Sequence, residues 1–344
     1  MPALKLIFMG TAELACPSLS ALRASDHFQV LAVVTQPDRP KGRHLELTPS
    51  PVKALAQQLG LPVLQPQQAR DPSFVAQVQQ MAPELIVVVA YGQILPPALL
   101  EIPRWGCLNV HASLLPKYRG AAPIQWALLN DETQTGVTIM KMDAGLDTGP
   151  ILAQETVAIE PTDTAQTLHD RLATVGAALL VRTIPQYVSG QIAPRPQPAQ
   201  EASYARKITK EDGLVDWTQP ARAIWNRVRA LVPWPGAFTY LSTAAHAASS
   251  GSGLPEAGPA APALLRLIIW EAEPVEGLSG APGEVLQADK TGLVVACGTG
   301  ALRIRTLQRE GGRRLPVAEF LLGHPIRVGQ RLGRPTPPAN QPHT

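Results

Sequence analysis

Two short stretches of this 344-residue chain hold side chains whose types and spacing suit a reaction. In "CLNVHAS", Cys107 to Ser113, Asn109 and His111 stand two apart at the end of an apolar run. Strand side chains alternate with a period of two, so the amide and the imidazole face the same side. In "KMDAGLDTGP", Lys141 to Pro150, Asp143 and Asp147 lie among glycines that let the backbone turn tightly and leave the carboxylates exposed. Amide, imidazole and carboxylate together suit acyl transfer to an amine. The amide and a protonated imidazole donate to a developing oxyanion, while the carboxylate favours the imidazolium and helps remove the amine proton. One His after a strand, or one Asp in a Gly-rich loop, is commonly structural. Two such loops, expected on neighbouring strand ends, are what point to a site.

The elements that must position these residues alternate as in a βαβ fold. "LKLIFMG" and "FQVLAVVTQ" read as strands flanking a helix around Leu14 to Ala24, and "PSFVAQVQQMA" reads as a helix before the apolar strand "ELIVVVA". Runs apolar on both faces mark strands covered by helices on both sides. "CLNVHAS" and "GVTIMKM" add two strands, and Thr164 to Gly190 forms a long amphipathic helix ending in Gly. This half reads as an α/β domain, an open, twisted, mostly parallel sheet of the Rossmann-like kind, over residues 1–190. Ligands in such sheets sit at the carboxyl ends of the strands. A Pro-rich linker is expected over 191–208, then a second domain over 209–334 and a disordered tail over 335–344. The second domain has one helix, "PARAIWNRVRALV", and short strands spaced by Gly and Pro as in a small β-barrel. Thr243 to Ala263 is a low-complexity insertion, expected to be a mobile loop.

Composition narrows the function classes. The longest apolar runs, "LIVVVAY" and "LLRLIIW", fall far short of the roughly 20 residues of a membrane helix, and the N-terminus lacks a signal-peptide pattern. A cytoplasmic protein, working without a membrane and as a monomer, is expected. Cys16, Cys107 and Cys297 are too far apart for a redox or zinc motif and read as core thiols. No G-x-x-x-x-G-K-[ST] or H-E-x-x-H is present. From Ala301 to Arg334 eight arginines face Glu310 and Glu319, a net +6, so the rest of a chain of formal charge +3 carries −3. Such an asymmetry suggests a polyanionic partner.

"NVHASLLPKYRGAAPIQWALL" with "TIMKMDAGLDTGPIL" resembles the signature of the folate-dependent formyltransferases, Asn-x-His-x-Ser-x-Leu-Pro and a later Asp. "GTAELACPSL", "TQPDRPKGR", "TPSPVKALA", "VVVAYGQILP", "YARKITKEDGLVDW" and "RALVPWPGAF" extend the likeness from about Leu4 to Leu332 and narrow it to the branch that formylates initiator methionyl-tRNA. The resemblance implies a formyltransferase fold with a C-terminal barrel of the oligonucleotide-binding type. Asn109, His111 and Asp147 would be the catalytic trio, the first two holding the oxyanion formed when the methionyl α-amine attacks the formyl group of 10-formyltetrahydrofolate, and Asp147 orienting His111. No metal and no covalent intermediate are implied. The folate would lie along Ser113, Leu114, Leu115 and Pro116, its pterin near Gln93, Ile94, Leu95 and the loop from Asp143 to Asp147. Gln36 to Lys53 would meet the acceptor end of the tRNA. That segment carries Arg39, Lys41, Arg43 and Lys53 against Asp38 and Glu46. Its His44, Leu45 and Glu46 depart from the further lysines common in the family. Arg303, Arg305, Arg313 and Arg314 of the barrel would contact the tRNA backbone.

Three rivals are distinguishable in the sequence. A sugar-nucleotide N-formyltransferase would share the trio but needs no basic loop such as "TQPDRPKGR". A nicotinamide-dependent dehydrogenase would need G-x-G-x-x-G where only Gly10 follows the first strand. A non-catalytic RNA-binding protein on the same scaffold would not require the intact trio.

Overall fold

The computed structural model describes residues 3–41, 46–243 and 263–334. Arg43, His44, Leu45, the interior of the Thr243 to Ala263 insertion and the tail from 335 onward lie outside the described residues. The chain divides into two compact units, the first Met1–Ala127 with Glu132–Lys207, the second Leu128–Asp131 with Ile208–Thr344.

The strands of the first unit are β1 (Leu4–Gly10), β2 (Phe28–Val34), β3 (Arg39–Lys41), β4 (Glu46–Thr48), β5 (Val63–Leu64), β6 (Leu85–Val89), β7 (Cys107–His111), β8 (Arg119–Gly120), β9 (Gln134–Lys141), β10 (Ile151–Ala158) and β11 (Tyr204–Ala205). Its helices are α1 (Cys16–Ala24), α2 (Pro51–Gln58), α3 (Pro72–Met81) and α4 (Pro97–Leu100); α5 (Pro123–Leu129) follows, and then α6 (Ala165–Val188). Seven strands form one sheet in the order β10-β9-β7-β6-β1-β2-β5. The five from β7 to β5 are parallel, and β9 and β10 extend the sheet antiparallel to their neighbours.

Every residue of β6 is buried, as its unbroken apolar run anticipates for a strand covered on both faces. On one face Ile7, Met9, Ile86 and Val88 pack with Phe74 and Val78 of α3 and Leu99 of α4. On the other lies α6, whose N-terminus is closed by reciprocal hydrogen bonds between Thr164 and Thr167. A Cβ built on Gly176 of this helix would stand 3.0 Å from Val110, so α6 comes close to β7 through a residue with no side chain. Because Val110 meets α6, Asn109 and His111 are turned to the opposite face.

The expectation that the two chemical loops leave neighbouring carboxyl strand ends needs correction. β9 runs antiparallel to β7, with His111 opposite Thr138 and Leu108 opposite Lys141, so the loop after β9 departs beside the start of β7. Residues 142–149 then fold back until Asp147 arrives beside Asn109. The loop is pinched at its base, where the Lys141 N–H donates to Pro150 O at 2.9 Å and Gly149 leaves no room for a side chain against the Lys141 carbonyl. The residues expected to link two domains also behave otherwise. Up to Lys207 they belong to the first unit: Arg195 and Ile151 exchange two backbone hydrogen bonds, and β11 pairs with β8.

In the second unit β12 (Ala237–Thr243), β13 (Ala263–Val275), β14 (Val285–Asp289), β15 (Gly292–Ala296), β16 (Ala301–Arg309) and β17 (Arg314–Pro316) form an antiparallel sheet, joined by α7 (Ala221–Ala230) and α8 (Val317–Gly323). The chain near its end pairs with both edges, Leu332 with Leu241 on β12 and Arg331 with Glu284 before β14, closing the sheet into a small barrel. Trp217, Ile224, Leu267, Leu293, Leu302 and Phe320 fill its interior. No helix among the described residues is long and apolar enough to cross a membrane.

Ile86 is wholly buried, so Ile86→Ala is expected to cost about 3 kcal/mol of stability in chemical denaturation. Leu322→Ala, at a position 88% exposed, should stay within about 0.5 kcal/mol of the parent.

Candidate active site

Asn109, His111 and Asp147 meet. The Asn109 amide donates to Asp147 Oδ1 at 3.3 Å, and His111 Nδ1 lies 3.8 Å from Asp147 Oδ2. Asp147 Oδ2 also accepts the Gly120 N–H at 2.8 Å. One carboxylate thus gathers donors from β7 and from the segment after it, and lies beside an imidazole. Asp147 itself has φ 52°, a left-handed conformation that Asp tolerates better than most residues. His111 is buried, and its Nε2 lies 2.9 Å from the Tyr118 carbonyl oxygen. A carbonyl only accepts, so that nitrogen carries the proton, and Nδ1 is left to face Asp147. The imidazole is anchored through one nitrogen and presents the other to the site. Burial pushes the Cys107 thiol, on the same strand, up to about 12, so it supplies no thiolate at neutral pH.

The residues expected along a folate fall into two groups. Ser113, Leu115 and Pro116 are buried and Leu114 is partly so. All four carbonyls are engaged: Ser113 O accepts from the Thr138 hydroxyl, Leu114 O from the Lys117 N–H, Leu115 O from the Gln154 amide and Pro116 O from the Ser203 N–H. This segment is a support more than an open surface. The loop after β6 is different. Gln93 is held by its own side chain, which accepts from the Ala69 N–H and donates to Gln67 O. Ile94 is 87% exposed, Leu95 is buried, and among the described residues the backbone groups of Gly92, Gln93 and Ile94 make no hydrogen bond. Asp143 caps its own loop, accepting from the Gly145 N–H and the Thr148 hydroxyl, while Leu146 beside Asp147 is 60% exposed.

The basic residues are less free than their number suggests. β3 and β4 form a hairpin that carries Arg39 and Lys41 on one strand, with Arg43 beyond the described residues. Arg39 donates to Gln36, and Lys53 is paired with Asp38 at 2.6 Å. In the second unit Arg303 and Arg305 share Glu273, at 3.4 and 2.7 Å, and the Arg314 guanidinium stacks 3.6 Å above the Trp270 ring. Arg313 makes no ion pair among the described residues.

Sequence reasoning passed over Tyr118, Gly120, Arg119 and Gln197. Arg119 is buried, and its guanidinium donates twice to the Gln197 side-chain oxygen, at 3.1 and 2.7 Å. The Gln197 amide nitrogen donates to the carbonyls of Asp147 and Gly149, at 2.8 and 2.7 Å. The signal available was the alternation Pro194, Pro196, Pro198 around Arg195 and Gln197, which fixes an extended backbone but does not tell what that backbone lies against.

Residues 4–184 match the family described as Formyl transferase, and residues 207–325 match the formyl transferase C-terminal domain. The chain is 48% identical to a methionyl-tRNA formyltransferase of Geobacter sulfurreducens, over 97% of this chain and 98% of that one. A protein of the same description from Pelobacter propionicus is 49% identical over 97% of both. Among solved structures, an N-formyltransferase from Helicobacter canadensis, in complex with folinic acid and dTDP-3-aminofucose, superposes with a TM-score of 0.61 at 19% identity, covering 89% of this chain and 99% of that one. HypX from Aquifex aeolicus in complex with tetrahydrofolic acid gives 0.59 at 17% identity, covering 93% of this chain and 47% of that one. These two likenesses are of fold. With family matches in both units and relatives this similar along the whole length, the chain belongs to the formyl transferase family.

Proposed function

We propose that this protein transfers the formyl group of 10-formyltetrahydrofolate to the α-amine of initiator methionyl-tRNA. The observation that carries the reading is the meeting of Asn109, His111 and Asp147 in a chain that aligns end to end with enzymes of that description.

The folate supplies a formyl carbon on an arylamine-like nitrogen, a group open to attack by an amine. As the amine attacks, negative charge grows on the formyl oxygen. Asn109 keeps one amide N–H after bonding Asp147, and a protonated His111 Nδ1 is a second donor; both serve that oxygen. Asp147 opposes the imidazolium charge and receives the proton that the amine sheds, while a proton returned to the departing nitrogen lets the old carbon–nitrogen bond break. Asp147 can do this because its own hydrogen bonds hold it in place beforehand.

The fit of a folate rests on the loop after β6. A pterin edge alternates donors and acceptors, and the unengaged backbone groups of Gly92, Gln93 and Ile94 offer the complement, with Ile94 exposed beside them. The engaged carbonyls of Ser113 to Pro116 support the site from below. Arg39 and Lys41 in the first unit, Arg43 next along the sequence, and Arg303, Arg305, Arg313 and Arg314 in the second would contact phosphates of the tRNA without reading its sequence.

The test is formyl transfer from 10-formyltetrahydrofolate to methionyl-tRNA, with free methionine and an amino-sugar nucleotide as parallel acceptors. Product on the charged tRNA alone is expected; product on the sugar nucleotide alone would overturn the acceptor. His111→Ala and Asp147→Asn should each lower kcat by roughly 100-fold or more with the unfolding midpoint unchanged. Replacing Arg313 and Arg314 by Gln should raise KM for the tRNA and flatten its salt dependence, leaving KM for folate alone. The same change at Arg303 and Arg305 should do less, since Glu273 already offsets part of their charge.

A further inference from the structure

We propose that Gln197 is a positioning residue for formyl transfer: its side chain clamps the 142–149 loop to buried Arg119 and so holds the Asp147 carboxylate on Gly120, Asn109 and His111. The inference rests on Asp147 acting in that reaction.

The geometry uses the whole hydrogen-bonding capacity of one amide. Gln197 Nε2 has two protons and faces two carbonyls, those of Asp147 and Gly149, at 2.8 and 2.7 Å. Gln197 Oε1 has two lone pairs and takes two guanidinium N–H groups of Arg119, at 3.1 and 2.7 Å. Carbonyls only accept and a guanidinium only donates, so the partners themselves fix which way the amide points. No other side chain matches that set: Glu lacks the donors, Lys and Arg lack the acceptor, and Asn is one methylene short.

The backbone around Gln197 is built to deliver this one group. Pro194, Pro196 and Pro198 restrict the intervening residues to extended conformations, which lowers the entropy lost on ordering them. Among residues 193–200 only Gln197 is not exposed. The segment is tied down on both sides of it. Arg195 exchanges backbone hydrogen bonds with Ile151, where the loop exits into β10. Further on, the Ser203 hydroxyl accepts from the Tyr118 N–H at 2.9 Å, and Ser203 O accepts from the Arg119 N–H at 2.8 Å. Tyr118 is the residue whose carbonyl anchors His111. Gln197 therefore ties the carboxylate loop to the segment that holds the imidazole, beside the bonds that Asp147 itself makes.

The consequence is specific. Asp147 has a left-handed backbone, and its carbonyl is one of the two that Gln197 holds. Without that clamp the loop keeps its pinched base at Lys141 and Gly149, and its tip is located only by the side-chain bonds of Asp147 to Asn109 and Gly120. A carboxylate displaced by about 1 Å is expected to cost on the order of 100-fold in rate.

The experiment uses the full chain with Gln197→Met, which removes all four hydrogen bonds, and Gln197→Glu, which keeps the acceptors for Arg119 and removes the donors for the loop. Both are expected to lower kcat by roughly 10- to 100-fold while KM for either substrate moves by less than about twofold and the protein stays folded at the assay temperature, with Gln197→Met the less stable because it leaves buried Arg119 unpaired. Each is then combined with Asp147→Asn. If Gln197 acts through Asp147, the double variants should be no slower than Asp147→Asn alone. A parental kcat in either folded variant, or a double variant slower by the full factor of the Gln197 change, would overturn the proposal. Should Gln197→Met unfold, Gln197→Glu carries the same two readings. A parent protein that formylates no acceptor, or an Asp147→Asn variant with full activity, would instead remove the functional reading, so the two failures are separable.

Discussion

The site depends on one carboxylate that accepts from two separate pieces of chain, β7 and the segment at Gly120, and lies beside an imidazole on the first. Asp147 accepts from the Asn109 amide and the Gly120 N–H and lies beside His111 Nδ1. A charged acceptor with several short partners is held far more firmly than any of them singly. Each partner needs a different part of the fold. Asn109 and His111 share a face because β7 is a strand, and β7 is fixed because α6 packs on its other side through Gly176. Gly120 is presented by a segment paired to residues 203–205. Asp147 arrives only because the chain after β9 reverses over eight residues and closes on itself.

That arrangement separates rigidity from reactivity. His111 spends Nε2 on a carbonyl, which settles its ring orientation and leaves Nδ1 for the site. Asn109 spends one proton on Asp147 and retains another. Catalytic groups that are already bonded need no reorganisation when charge develops, and that saving is the main advantage of a preorganised site. Ser113 to Pro116 have their carbonyls fully engaged, whereas among the described residues the backbone groups of Gly92 to Ile94 make no hydrogen bond.

The second unit follows a different logic. Its core is a closed antiparallel barrel, and Arg305, Arg309, Arg313 and Arg314 are exposed on or next to its strands, while Arg229 of α7 is buried. Pairing of Arg303 and Arg305 with one glutamate, and stacking of Arg314 on Trp270, order these side chains while leaving a positive excess. Ordered cations lose less entropy on meeting phosphate than free ones, so local pairing and polyanion binding are compatible.

The sequence by itself determined most of the elements and singled out Asn109, His111 and Asp147, three side chains that the fold brings together. Apolar runs such as Leu85 to Val89, the Thr164 start of α6 and the alternation at Asn109 and His111 are local signals, written in periodicity and capping chemistry. It also carried enough spaced motifs to reveal the family. What it did not determine was direction and contact. Nothing in "GVTIMKM" tells that β9 runs against β7, because strand periodicity is the same in either sense, and β10 beyond it was missed for its half-polar pattern. The Pro-rich stretch read as a linker because prolines specify an extended backbone and not its neighbour. Only tertiary structure lays that stretch on the first unit, brings Gln197 between Arg119 and the loop of Asp147, and pairs Lys53 and two barrel arginines with carboxylates. Local chemistry is encoded residue by residue, whereas the meeting of residues 50 to 80 positions apart is decided by which surfaces bury together.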